Sequence, residues 1–145
     1  SQGFGCLRLL EDTIKLNEKS SITETDGIVV AGISQYQNFP KGYSFVYKIR
    51  FDNRSDRTVK ILGRHIICYG EKNEILANVV ALNDGVVGQQ PTLKPGEAFE
   101  YCSYVPLHVP KAFMSASFQL QEIGPRERYV MAHVGRIPLV CDESE

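Results

Sequence analysis

The chain has 145 residues, 43% hydrophobic and 23% charged, with a formal net charge of -1, which is the size and composition of one globular domain able to bury a single core. No apolar run approaches the roughly 18 to 20 residues of a membrane-crossing helix, and no membrane association is expected. The four cysteines, Cys6, Cys68, Cys102 and Cys141, and the three histidines, His65, His108 and His133, stand far apart. There is no CxxC and no cysteine-histidine spacing suited to zinc, so neither a metal site nor a cofactor is expected.

Isolated thiols point to an intracellular reducing compartment, cytosol or mitochondrial matrix, while spacing alone leaves a disulfide open. The chain opens on Ser1 rather than Met, which suggests a processed product or a piece of something longer, and no signal or transit peptide is visible. Charge is unevenly distributed: residues 1–26 hold three basic and five acidic side chains, residues 27–64 seven and two, and residues 65–145 six and ten.

In residues 4–19 the apolar side chains Leu7, Leu10 and Ile14 recur at helical spacing, with charged residues on the other faces. This predicts a short amphipathic helix, which either packs on its own domain or docks on a partner. Residues 1–26 are read as an N-terminal helical extension, residues 27–140 as the domain and residues 141–145 as an acidic tail.

Beyond residue 27 the periodicity changes to two. Tyr43, Phe45, Tyr47, Ile49 and Phe51 alternate with a mostly polar set, the mark of a half-buried strand. Turn residues DNRSDR lead into TVKILGRHIICYG, and the two strands are expected to pair as a hairpin, with a bulge at Gly63 re-aiming Arg64 and His65. A third apolar run, EILANVVAL, precedes NDGVVGQQP. Pro95-Gly96 reads as the centre of a type II turn. Two further alternating strands follow, then a last strand whose phase changes near Gly135.

About seven short strands with almost no helical periodicity predict an all-β fold, an antiparallel sandwich of two packed sheets. Trp is absent and no paired-cysteine core is suggested, which argues against a true immunoglobulin domain.

The run GVVGQQPTLKPGEAFEYCSYVPL (residues 85–107), together with YSFVYKIRFDN (43–53) and TVKILGRHI (58–66), resembles the ApaG domain. The resemblance extends over about residues 28–139. It implies a fibronectin type III-like sandwich of about seven strands. It also implies a role in binding, since eukaryotic proteins carry such domains beside other modules, including F-box substrate-recognition subunits and a polymerase delta-interacting protein associated with mitochondria. For bacterial members the resemblance brings cobalt and magnesium resistance and dinucleotide metabolism. Those members usually read GxGVVGxQP, whereas here Asn83 stands at the first glycine.

Two constellations are candidate sites. The first is the loop Asn83, Asp84, Gly85, Val86, Val87, Gly88, Gln89 and Gln90, either a partner or ligand contact or a connection between sheets. A pyrophosphate reading is weakened because no helix follows Gly88 to present its N-terminus. The second is a basic face made of Lys48, Arg50, Arg54, Arg57, Lys60 and Arg64, which a paired hairpin would make continuous.

Catalysis has no recognisable nucleophile or glycine elbow; GISQY (32–36) lacks the closing glycine. The expectation is a non-catalytic module that binds a protein partner as part of a larger protein or complex. The alternatives are a ribonucleoprotein subunit holding RNA on the basic face, and nucleotide binding or divalent-cation homeostasis. Oligomeric state is not assigned.

Overall fold

A computed structural model describes residues 20–37 and 43–140, and in these residues nine strands form two antiparallel sheets. β1 (Ser20–Thr25), β2 (Ile28–Gln37), β3 (Tyr43–Asn53) and β7 (Ala98–Leu107) make the first sheet in the order β1-β2-β3-β7. β5 (Ile75–Ala81), β4 (Thr58–Tyr69), β8 (Lys111–Ile123) and β9 (Arg128–Val140) make the second in the order β5-β4-β8-β9, with the two-residue β6 (Thr92–Leu93) beside β4. The expected all-β sandwich is the observed fold. The helix expected around Leu7, Leu10 and Ile14 and the acidic tail lie outside the described residues.

Period-two alternation builds the core directly. Phe45, Ile49 and Phe51 of β3 and Ala112, Met114, Phe118 and Leu120 of β8 turn between the sheets and are buried. Phe51 meets Phe118 edge-to-face with centroids 4.8 Å apart, a geometry that adds to simple area burial. The bulges expected at Gly63 and near Gly135 are both present, as register shifts between Ile61 and Gly63 and between Met114 and Ala116. At Pro95-Gly96, Gly96 has φ +87° and the Glu97 amide donates to the Lys94 carbonyl at 2.9 Å, as a type II turn requires.

Two expectations are corrected. Residues 20–25, counted above with the helical extension, are the first strand of the sheet. Asp26 (φ 50°) and Gly27 (φ 85°) turn the chain back on itself, and this Asp-Gly pair is a strong hairpin signal, of type I′.

The second correction concerns β3 and β4, which do not pair: they belong to different sheets. Their connection is a corner organised by Asn53, whose side chain is buried. Its amide donates to the carbonyls of Arg57 (2.7 Å) and Leu93 (3.0 Å), and its oxygen accepts from the amide and hydroxyl of Ser55. Turn composition reports a change of direction, not whether the flanking strands hydrogen-bond.

Cysteine chemistry, which spacing leaves open, differs between two positions. Cys68 is a free, buried thiol pushed up to about 11 by desolvation, whereas Cys102 is disulfide-bonded, a pairing that spacing does not reveal.

Candidate functional site

The Asn83–Gln90 loop is a self-satisfied knot. The Gly85 amide donates to the Leu62 carbonyl at 2.6 Å, the Val86 amide to the Gln89 carbonyl at 2.7 Å, and the Gln89 amide back to the Val86 carbonyl at 3.2 Å. The Gln90 side-chain amide donates to the carbonyls of Leu62 and Asn83, and the Asn83 amide to the Gln119 side chain. Val86 is fully buried and joins the core. Donors that a phosphate would need at Gly85, Val86 and Gln89 are therefore already engaged.

Gly85 is required twice over: its φ is +78°, and a Cβ there would lie 2.2 Å from the Gln89 carbonyl oxygen. Asn83, at φ 64°, occupies the left-handed region that asparagine tolerates best after glycine, so glycine is not needed there. At the tip, Val87 (φ 51°) and Gly88 (φ 77°) close the turn. A β-branched residue at positive φ is strained, and Val87 is also half exposed.

This loop continues the edge strand β5. Among the described residues β5 is last in its sheet and has one unpaired edge. Its sequence, ILANVVA, contains no charged residue and no proline. Ile75 is 63% exposed and Val80 59%, and Val79, Leu82 and Val87 extend the apolar run into the loop. Edge strands are ordinarily protected by charge, proline or a covering element. β7, the edge of the other sheet on this side, carries Glu100 and Pro106.

The six basic candidates are not brought onto one face, because the hairpin that would have joined them does not exist. Lys48 and Arg50 share the side of β3 turned away from the core, but Lys48 is only 2% exposed, with its ammonium on Glu100. Arg50 is held by Glu100 at 2.7 Å and Asp52 at 2.9 Å, and the hydrogen bond it donates to Asp52 raises its pKa. Arg57 bonds Glu122 at 2.8 Å at the corner, near the Arg128–Asp26 pair, and Arg54 is exposed on the same turn. Lys60 lies on β4 in the other sheet. Arg64 turns inward, its guanidinium carbon 5.9 Å from the centroid of the Tyr101 ring.

Sequence spacing also missed a row across the outer side of the second sheet, where His65, Ser117 and His133 are neighbours in register. His133 Nδ1 and the Ser117 hydroxyl are 2.7 Å apart, and His65 Nε2 and Asn78 Oδ1 also 2.7 Å. Only cross-strand register could have revealed it. No carboxylate among the described residues orients either ring as the third member of a nucleophilic triad would. A depression of about 370 Å³ at the β8–β9 turn is lined by Arg57, Glu122, Ile123, Gly124, Pro125 and Arg126. The candidate site is therefore the β5 edge with its loop.

The sequence profile of the ApaG domain (DUF525) matches residues 33–122. The chain belongs to the ApaG domain family. It is 34% identical over 106 residues to protein ApaG of Anaeromyxobacter dehalogenans strain 2CP-C, a match spanning 69% of this chain and 80% of the relative. Against protein ApaG of Bradyrhizobium diazoefficiens identity rises to 40% over 88 residues, or 58% of this chain and 63% of the relative. A crystal structure of an ApaA protein from Bordetella pertussis superposes with a TM-score of 0.70 at 27% identity, covering 79% of this chain and 94% of the other. The corner, the β5 edge and most of the loop-bearing sheet of this ApaG domain fall inside the matched residues. Membership fixes the fold; function is argued from the site.

Proposed function

We propose that this ApaG domain is a non-catalytic protein-binding module that meets its partner along β5 and the Val87 turn. One observation supports the reading: an edge strand that no strand among the described residues pairs, with no charge and no proline, showing Ile75 and Val80 at 63% and 59% exposure. An edge of that kind favours main-chain pairing with another strand, and the strained, half-exposed Val87 adds an apolar contact at its end.

Affinity purification with the full chain tests it, using Val80→Lys as the edge variant and treating half of each sample with nuclease. The expected result is a partner set that survives nuclease and is lost with Val80→Lys, while the melting temperature of the variant is unchanged. Retention of the same partners by Val80→Lys would sink this reading. Collapse of the set under nuclease would favour a ribonucleoprotein role.

A further inference from the structure

The seam between the sheets beneath β5 contains polar groups with no hydrogen-bond partner among the described residues. The Arg64 Nε and the Tyr101 hydroxyl are both buried and unbonded, and Tyr101 is 7% exposed. Among the described residues, Arg64 has no ion pair to any carboxylate, although Lys48, Arg50, Arg57 and Arg128 all have one. Burial raises the Tyr101 pKa well above its ordinary value, with the neighbouring Tyr47 adding to the shift and Arg64 opposing it. A cation turned inward without a counter-charge is unfavourable unless something arrives to meet it.

The position of Arg64 is set by the ladder. β9, at the far end of its sheet, packs on β1 and β2, so β5 and β7 are the edges on the opposite side of the sandwich, and Arg64 and Tyr101 point between them. In register, Arg64 stands opposite Ala81, Ile66 opposite Val79 and Cys68 opposite Ala77. The inward side of β5 is thus Ala77, Val79 and Ala81, small beside Arg64. A strand added to β5 would lie two strand spacings from β4, roughly 10 Å. An arginine and a glutamate or aspartate reaching toward each other over the methyl group of Ala81 can span that gap.

Deepening the proposed function, on which it rests, we infer that the partner is an extended segment of another protein. This segment adds as a strand to β5, with apolar side chains on its inward face and one carboxylate that pairs with Arg64. The backbone of β5 supplies the pairing and Arg64 the selectivity. Neutral or basic segments would leave the cation unmatched and bind less well.

Random peptides displayed on phage and selected against the full chain provide the probe. Selected sequences should alternate apolar residues and carry Asp or Glu at one fixed register, and the bound peptide should slow hydrogen exchange of β5 amides. Arg64→Gln should weaken those acidic peptides by about tenfold or more, with Arg64→Lys recovering part of the loss. Repeating the selection against Arg64→Glu should return Lys or Arg at that register. Thermal melting of each variant checks that it is folded. Peptides that protect β5 with no acidic preference, or that bind Arg64→Gln equally well, overturn the role of Arg64 and leave the protein-binding reading standing. Selected peptides that never protect β5 overturn strand addition itself.

Discussion

Along β9 the outer edge faces β1 and β2, and three hydroxyls reach across: Thr23 donates to the His133 carbonyl, Ser21 to that of Gly135 and Ser34 to that of Pro138. Along β5, at the opposite end of the same sheet, no side chain among the described residues donates to a strand carbonyl, and no charge or proline guards the strand. Both are edges of one sheet over one core, so the difference is local sequence rather than architecture. Ser and Thr at the inward positions of β1 and β2 turn one edge into an internal seam, while Ile75, Val80 and Val87 leave the other apolar and exposed.

The largest perturbation should erase the comparison by removing the core that both edges share. Phe118 is fully buried against Phe51 and Tyr101, and Phe118→Ala is expected to cost about 3 to 5 kcal/mol, measured as the loss of unfolding free energy in urea. Next comes Gly85→Val. With positive φ and a Cβ position 2.2 Å from the Gln89 carbonyl oxygen, it combines backbone strain with overpacking and should cost about 2 to 4 kcal/mol. It therefore tests the loop's folding and is not a clean probe of binding.

The comparison itself is sharpened by treating the two edges alike. Thr23→Val with Ser34→Ala removes two caps from β9 and should cost about 1 kcal/mol for each hydrogen bond lost, visible as a lowered melting temperature. Val80→Lys on β5 should leave stability within about 0.5 kcal/mol and remove partner binding. If uncapping β9 cost nothing while Val80→Lys destabilised the domain, the assignment of one closed and one open edge would be reversed.

Much of this was legible in the sequence. The alternation of β3, β7 and β8, the Pro95-Gly96 turn and both bulges follow from period and turn chemistry, which are local. What was not legible depends on which strands become neighbours. The basic face failed because DNRSDR fits a hairpin turn and a corner equally well, and only the bonds of Asn53 to Arg57 and Leu93 decide between them. That choice sends Arg64 inward and leaves Lys48 on Glu100. The His65–Ser117–His133 row and the open state of β5 are likewise matters of register and sheet order. The Asp26-Gly27 turn is legible in the dipeptide itself, and it joins β1 to β2 where the helical extension is expected to end.

A last substitution separates strain from contact at this edge. Val87 sits in the first central position of a turn where both residues have positive φ, 51° for Val87 and 77° for Gly88. Asparagine is favoured there and a β-branched residue is not. Val87→Asn should relieve the backbone and raise stability by about 1 kcal/mol, read as a higher melting temperature. Because Val87 is half exposed, the same change removes an apolar contact available only to a partner, so affinity should fall while stability rises. A valine whose only role was to close the turn would gain stability on Val87→Asn with affinity unchanged. Opposite signs in the two measurements are what a strained residue kept for contact requires, and a rise in stability with no loss of affinity would confine the binding edge to β5 alone.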